Sequence, residues 1–327
     1  MLGQSRRVFI TLLGSAAAAR PLGAWAQEPG RIYRIGSLHQ APRNAAHHVA
    51  FFAVLEQNGF VEDRNLVVDR RGYGMSAEQF AGLAKQHVDD HVDLILCGGD
   101  AAGRAAQAAS RTIPVVVLAD DMVRAGLVSS LQKPGGNITG VSIFAAELNG
   151  KRLELLIEAV PSARRIAILS DPESTTAVQL QALQDVAKSH DVELLIHQAG
   201  KREAIVSALD AAKATGATAL NVLASALFFN NRQSIFRQVA ALRLPAMYQW
   251  PEMAEAEGLL AYGPRIIQIY RDIIARQVVA VMRGTKPAEL PVEQPTRFDL
   301  VVNLKAAGAI GLELPAGLVL RADRLIE

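Results

Sequence analysis

Cysteine is nearly absent from this chain, and its scarcity limits the chemistry that the protein can perform. Cys97 is the only cysteine in 327 residues, which excludes an internal disulfide and a metal cage built from cysteines. The chain also lacks the Gly-x-x-x-x-Gly-Lys-Ser/Thr and Gly-x-Gly-x-x-Gly patterns of nucleotide-binding loops. Neither a Gly-x-Ser-x-Gly elbow nor an HExxH zinc motif occurs. The sequence therefore predicts neither an enzyme nor a cofactor.

Charge of one sign and long hydrophobic runs are lacking as well. Lysine and arginine number 34 against 32 acidic residues, a net charge of +2, so we expect no nucleic-acid partner. The apolar run at 9–19 is about half of the roughly 20 residues that a membrane-spanning helix needs. We therefore expect no membrane anchor.

The N-terminus carries the features of an export signal. The stretch Ser5-Arg6-Arg7-Val8-Phe9-Ile10 matches the twin-arginine consensus, and Ala24-Trp25-Ala26 is a small-x-small cleavage site. Residues 1–26 are thus predicted to be a signal peptide, removed after Ala26, with the mature chain in the periplasm. No cysteine lies near the cleavage site, so no lipid anchor is expected. The general secretory route remains an alternative to twin-arginine export.

Short β-branched runs alternate with helical stretches in two similar series. Runs of this kind at 34–38, 92–97 and 113–119 are followed by a second set at 165–169, 217–223 and 244–248. Strands that alternate with helices predict βαβ units and parallel sheets. Arg34 to Ile113 and Arg165 to Leu244 both span 79 positions (113 − 34 and 244 − 165), which favours two related α/β lobes over a coincidence of generic segments.

Two such lobes create a cleft, because ligands of open parallel sheets bind beyond the carboxyl ends of the strands. The expected fold class is α/β, with two doubly wound lobes joined by a hinge. We assign residues 27–142 plus about 250–296 to lobe one, and residues 143–249 plus about 297–327 to lobe two. The loops that follow the strands are the candidate ligand contacts.

Several motifs closely resemble one protein family. They include "DLILCGG", "KPGGNITG", "ELNGKRLELL", "GLLAYGP" and "LPVEQPTRFDLVVNLKAA". In order and content they resemble the ABC-transporter substrate-binding family that includes the tryptophan- and tyrosine-binding proteins. The resemblance covers essentially the whole mature chain. It implies a type I periplasmic-binding-protein fold with three crossings between lobes, and delivery of ligand to a membrane permease driven by an ATPase.

The first lobe supplies candidate ligand contacts after three strands. They are Ser37, His39, Gly98, Gly99, Asp100, Ala101, Asp120 and Asp121. A helix N-terminus after Gly98-Gly99 favours a ligand carboxylate, yet Asp100 stands where the resemblance implies a hydroxyl residue. Asp100 is therefore either a helix N-cap or a ligand contact. Asp120 and Asp121 either favour a ligand with an amino group or are solvated turn residues.

The second lobe adds polar loops and two aromatic side chains. The candidates there are Asp171, Glu173, Ser174, Ser225, Trp250 and Tyr262. Trp250 and Tyr262 would either stack on a flat ligand or pack in the core and hinge. His39, His47 and His48 lack the carboxylate spacing of a metal site, so no metal is predicted. Cys97 is interpreted as a packed core residue.

Taken with the family resemblance, these observations predict a monomeric solute-binding protein, which the resemblance implies serves an ABC uptake transporter, and which captures an amino acid or an aromatic carboxylate by hinge closure. The acidic loops favour a ligand that bears an amino group. A periplasmic subunit that hands its ligand signal to a membrane receptor remains the alternative, because both roles use the closed form.

Overall fold

Two sheets organise the chain in the computed structural model, which describes residues 30–143 and 145–327. The predicted signal peptide lies outside the described residues. Residues 32–327 form one unit. The twelve strands of the described residues are β1 Tyr33–Leu38, β2 Leu66–Val68, β3 Leu94–Gly98, β4 Val115–Ala119, β5 Ile138–Ser142, β6 Arg165–Ser170, β7 Glu193–Gln198, β8 Ala219–Val222, β9 Ala246–Tyr248, β10 Leu260–Gly263, β11 Asp299–Asn303 and β12 Arg324–Ile326.

Helices connect most of these strands. The α-helices of the described residues are α1 Ala46–Gln57, α2 Phe80–Asp89, α3 Asp100–Ala109, α4 Ala145–Ala159, α5 Ala177–Ser189, α6 Ala204–Ala214, α7 Ala226–Asn230, α8 Arg232–Ala241, α9 Pro251–Ala256, α10 Ile266–Gln268, α11 Ala275–Met282, α12 Leu304–Ile310 and α13 Ala316–Leu320. A π-helical segment, Ile269–Ile274, joins α10 to α11. Short 3-10 turns lie at Arg70–Gly72, Ala77–Gln79 and Pro287–Glu289. None of the helices in the described ranges is both long and apolar enough to cross a membrane.

The two sheets repeat one strand order. The first sheet is β2-β1-β3-β4-β5, and the second begins with the equivalent order, β7-β6-β8-β9-β10, and extends to β11 and β12. Neighbouring strands are parallel except for the β10–β11 pair. Strands β3, β4 and β6 are buried along nearly their whole length, as expected for parallel sheets covered by helices. The predicted α/β fold with parallel-sheet cores is confirmed.

One predicted boundary differs from the structure. The sequence-based division placed residues 250–296 with the first lobe, but β10 pairs with β9 and β11 in the second sheet. The chain returns to the first sheet only after Gly263, where α10 and the π-helical segment pack against α1. The apolar stretch before Gly263 resembles a crossing in sequence, whereas backbone pairing makes it a strand of the second sheet.

Candidate functional site

A cavity of about 970 Å³ lies at the carboxyl ends of the strands of both sheets. Loops after β1, β3 and β4 form one wall, and loops after β6, β7, β8 and β9 form the other. Eleven of the predicted contacts line it: His39, Gly98, Gly99, Asp100, Ala101, Asp120, Asp171, Glu173, Ser174, Ser225 and Trp250. The structure thus brings together the residues that the sequence places after separate strands.

Two glycines shape the turn at the end of β3. Gly99 has a φ of 101°, a conformation that is costly for any residue with a Cβ. A Cβ atom at Gly99 would lie 3.8 Å from the Cβ atom of Ala226 on the opposite wall. A Cβ atom at Gly98 would lie 2.6 Å from the Cδ2 atom of His39. This turn therefore needs glycine at position 99 for backbone conformation and at position 98 for space.

Asp100 is not the N-cap of its helix. The N-cap position of α3 is Gly99, and Asp100 is the first helical residue. Its Oδ1 atom accepts a hydrogen bond from the Asp120 backbone N–H at 2.9 Å. This bond links the loop after β3 to the loop after β4. The two loops are adjacent because the two strands are parallel neighbours. Burial raises the pKa of the Asp100 carboxyl, and the Asp120 N–H counteracts that shift in part.

Asp120 carries the most perturbed carboxyl of the cavity wall. Burial raises its pKa well above the ordinary range, and the nearby Asp100 carboxyl raises it further. The Arg152 guanidinium opposes both effects. Among the described residues, no side chain or backbone group forms a hydrogen bond or ion pair with the Asp120 carboxylate. The carboxylate is therefore open to the cavity.

Three predicted contacts do not line the cavity. Asp121 turns away because its Oδ1 atom accepts hydrogen bonds from the backbone N–H groups of Val123 and Arg124 at 3.1 and 3.0 Å. Ser37 is fully buried in β1 and donates to the Tyr73 hydroxyl at 3.0 Å. In these two cases local pairing, which the sequence did not reveal, occupies the side chain.

Tyr262 is the third residue displaced from the cavity. Its side chain lies in β10, where its ring is 6.3 Å from the ring of Phe298. Its carbonyl oxygen accepts a hydrogen bond from the Arg152 Nε atom at 2.7 Å. Tyr262 therefore packs beside the crossing between sheets, which was the alternative to a stacking role.

The polar loops of the second sheet are tied to one another. Ser225 donates from its hydroxyl to the Asp171 Oδ2 atom at 2.6 Å and accepts from the Leu227 N–H at 3.0 Å, which caps α7. Asp171 also accepts from the Glu173 N–H at 3.0 Å and from the Ser174 hydroxyl at 3.3 Å. The Asp171 carboxylate therefore has three donors within the protein and shapes the wall of the cavity.

Trp250 supplies an aromatic surface on the same wall. It is 5 % exposed and lies edge-to-face against Phe229, with 6.2 Å between ring centroids. The Arg232 guanidinium sits 4.7 Å from the other ring of this pair, Phe229. An aromatic pair of this kind can bind a flat or apolar ligand body.

Three histidines form a buried cluster in the first wall, and two of them, His39 and His47, line the cavity. The rings of His39 and His47 lie 4.6 and 4.2 Å from the ring of His48. The pKa of His39 is well below the ordinary value, that of His47 is lowered to about 2 and that of His48 to about 4. Burial is the largest cause in each case; His47 and His48 further lower the pKa of His39, and His48 further lowers that of His47. The cluster is therefore neutral at physiological pH.

The predicted contacts omit other residues that line the cavity, such as Phe229 and Gln249, and also the buried Arg152, whose guanidinium acts on the Asp120 carboxyl. Arg152 on α4 is fully buried, and it donates to the carbonyl oxygens of Tyr262 and Gln249. Burial lowers the pKa of its guanidinium to about 9. Arg152 lies at helical spacing from the apolar Leu156 and Ala159. A charged residue on that apolar face was the signal that the sequence offered for a buried arginine. Gln249 lines the cavity directly after β9, and its neutral side chain gave no signal.

Metal-ligating groups converge at one place outside the cavity. Ligand atoms of Asp69, His87 and Asp90 lie within 4.8 Å of one another. The Arg71 Nη2 atom already bridges the two carboxylates at 2.7 and 2.9 Å, so a guanidinium occupies the position that a cation would take. Cys97 is fully buried, and burial raises the pKa of its thiol, so a reactive thiolate is disfavoured.

A curated relative is similar to part of this chain. A tyrosine-binding protein of Clostridioides difficile is 32% identical over 147 residues, which cover 44% of this chain and 42% of that relative. The match thus spans less than half of the relative's length.

Two solved structures share the fold. A conserved domain protein of Vibrio cholerae superposes with a TM-score of 0.80 at 24% identity, covering 90% of this chain and 99% of the other. An ABC domain in complex with L-Trp from Streptococcus pneumoniae gives 0.78 at 21% identity, with coverages of 90% and 100%. The model of the family described as ABC transporter substrate binding protein matches residues 46–326. The chain belongs to the ABC transporter substrate-binding protein family.

Proposed function

We propose that this chain is the periplasmic solute-binding protein of an ABC uptake transporter, and that it captures a small organic ligand in the cavity between the two sheets. The observation that carries the proposal is the position of the cavity. Its walls are the loops after the strands of both sheets, which is where open α/β sheets bind ligands.

Capture occurs by closure of two lobes around the ligand. Lobe one comprises the first sheet with residues 264–296, and lobe two comprises the second sheet with its helices. The close approach of Gly99 to Ala226 supports a cavity that the lobes can close. A ligand stabilises the closed form only through contacts that are better there than in the open form.

The ligand is an amino acid or an aromatic carboxylate. Its contacts come from the eleven predicted residues that line the cavity, with Trp250 and Phe229 against its apolar part. The names of the relatives support this class, since one is a tyrosine-binding protein and another was solved with L-Trp. Asp171 and Ser225 act mainly by holding the wall, because each already has partners.

Residues 1–26 direct export, and the mature chain works in the periplasm. It acts as a monomer that delivers ligand to a permease driven by a cytoplasmic ATPase. Ligand uptake by cells that carry the chain together with its permease would support delivery to a transporter. Ligand-dependent signalling through a membrane receptor, without uptake, would support the sensing alternative.

A thermal-shift screen against amino acids, aromatic acids, polyamines and short organic acids tests ligand capture. A ligand at about one hundred times its dissociation constant adds about 2.7 kcal/mol, which raises the melting temperature by about 5 °C. Ala101→Phe fills the cavity and should abolish the shift. Ala108→Phe, an exposed position on the same helix, is the matched control and should retain the shift.

The two tryptophans of the chain allow the binding site to be located. Trp25 lies in the predicted signal peptide and Trp250 in the cavity wall. In the Trp25→Phe variant, Trp250 is the only remaining tryptophan. A ligand without an indole ring should change its emission on saturation. Binding that leaves this emission and the Ala101→Phe variant unaffected would place the ligand elsewhere and refute the proposal.

A further inference from the structure

Two carboxyl groups meet on one wall of the cavity. Asp100 follows β3 and Asp120 follows β4, and the two loops are joined by the bond from the Asp120 N–H to the Asp100 Oδ1 atom. Both residues line the cavity. The Asp120 carboxylate has no hydrogen-bonding or ionic partner in the part of the chain that the structure describes. The Asp120 carboxylate is therefore available as an acceptor inside the cavity.

The charges around this pair leave a place for one cation. The ionisable groups that act on the pair are Arg104, Asp121 and Arg124 around Asp100, and Arg152, Asp171 and Asp121 around Asp120. Arg104 and Arg124 are exposed, so water screens their charges. Arg152 is buried and offsets one carboxylate. If Asp100 and Asp120 share one proton, the pair and Arg152 together are neutral.

A second, independent feature of the same cavity points to a ligand. Gln249 is 4 % exposed and lines the opposite wall after β9. Its backbone carbonyl oxygen accepts from Arg152, but its side-chain amide forms no hydrogen bond with any described residue. The amide is not sealed in the protein interior but open to the cavity. A polar group of a bound ligand would satisfy it.

We propose that the cavity selects its ligand by a cationic nitrogen, which binds between Asp100 and Asp120 and displaces one proton from the pair. This inference rests on the proposed solute-binding function and names the ligand class. The O–H bond of the shared carboxyl breaks, the electron pair stays on the carboxylate, and the proton passes to the buffer. The ligand nitrogen remains protonated. The charges then sum to zero again, with two carboxylates facing Arg152 and the ligand cation.

Burial raises the pKa of both carboxyls, and the Asp100 carboxyl raises that of Asp120 further, which supports the shared proton. Affinity for a cation should therefore fall as the pH is lowered, since protons compete for the same carboxylates. Charge-assisted hydrogen bonds from the ligand nitrogen replace the shared proton. A ligand with only a carboxylate would meet repulsion at this wall.

Isothermal titration calorimetry with three indole probes tests the selection. Tryptamine carries only the cation, tryptophan carries both charges, and indole-3-propionate carries only the anion. We expect tryptamine and tryptophan to bind, and indole-3-propionate to bind at least about tenfold more weakly. Titrations in phosphate and in Tris, whose ionisation enthalpies differ, should reveal proton release with tryptamine.

Conservative variants identify the groups responsible. Asp120→Asn and Asp100→Asn keep the shape of the wall, and each should weaken tryptamine binding at least about tenfold and reduce the proton release. Asp121→Asn removes the same charge from a side chain that faces the neighbouring turn. It is the matched control, and it should change the affinity by less than about threefold.

Two kinds of result separate this inference from the proposed function. If indole-3-propionate binds as tightly as tryptamine, or if Asp120→Asn and Asp100→Asn bind tryptamine as the wild type does, the inference is wrong and the solute-binding function stands. The same holds if every hit of the thermal-shift screen lacks a cationic nitrogen. If no compound of the screen binds at all, both proposals fall.

Discussion

The buried histidine cluster predicts a loss of stability in mild acid. His47 and His48 are 4 % and 0 % exposed, and their pKa values are lowered to about 2 and about 4 from 6.5. The unfolded chain therefore binds protons that the folded chain does not accept. The two histidines make their full contribution to the free energy of unfolding above the unfolded pKa near 6.5. This contribution is lost as the pH falls from there towards the folded pKa.

The size of the effect follows from the pKa difference. One proton bound only by the unfolded chain changes the free energy of unfolding by about 1.4 kcal/mol per pH unit. Each of the two histidines should therefore cost about 2 kcal/mol between pH 6.5 and pH 5. Urea denaturation at half-unit pH steps measures this slope directly.

A conservative variant isolates the cluster from the carboxyl groups, whose raised pKa values act in the opposite direction. The His48 Nδ1 atom lies 3.0 Å from the Pro42 carbonyl oxygen, a bond that a glutamine amide can also donate. His48→Gln should lower the slope by about 1.4 kcal/mol per pH unit between pH 5 and 6. His190→Gln, at an exposed position, should leave it unchanged. Equal slopes in wild type and His48→Gln would refute the reasoning.

Three further substitutions test the walls of the cavity. Gly99→Ala should destabilise the chain by about 1–3 kcal/mol in urea, because alanine is strained at a φ of 101°; unchanged stability would argue against the observed backbone. Trp250→Ala should lower stability by about 3–5 kcal/mol and weaken an aromatic ligand by about 1–3 kcal/mol in calorimetry, whereas an unaffected aromatic ligand would exclude stacking. Arg152→Lys should lower the free energy of unfolding by about 2–3 kcal/mol, since lysine cannot reproduce the planar set of hydrogen bonds to the Tyr262 and Gln249 carbonyl oxygens. An unchanged free energy of unfolding in urea would show that these bonds do not stabilise the fold.

The sequence predicted the main strands because buried parallel strands need continuous β-branched runs. The run at 113–119 became β4, and the run at 165–169 became β6. Strands β2, β5, β7, β10, β11 and β12 escaped prediction. Strand β7 is only half-buried and includes His197 and Gln198, so its composition resembles that of a loop.

The positions of the site loops were predictable, but the orientation of their side chains was not. Strand order places Asp100 and Asp120 side by side, since β3 and β4 are neighbours. Whether Asp120 or Asp121 faces the cavity depends on the turn at 121–124, where Asp121 binds two backbone N–H groups. Arg152 comes from a distant helix, and only the tertiary fold brings its charge close enough to act on Asp120.

A crystal structure of the chain with the strongest hit of the thermal-shift screen tests the central claim most directly. The ligand should occupy the cavity between the two sheets, in contact with Trp250 and with the loops that hold Asp100 and Asp120. A ligand bound outside this cavity, with the strand-end loops unchanged and untouched, would contradict the account.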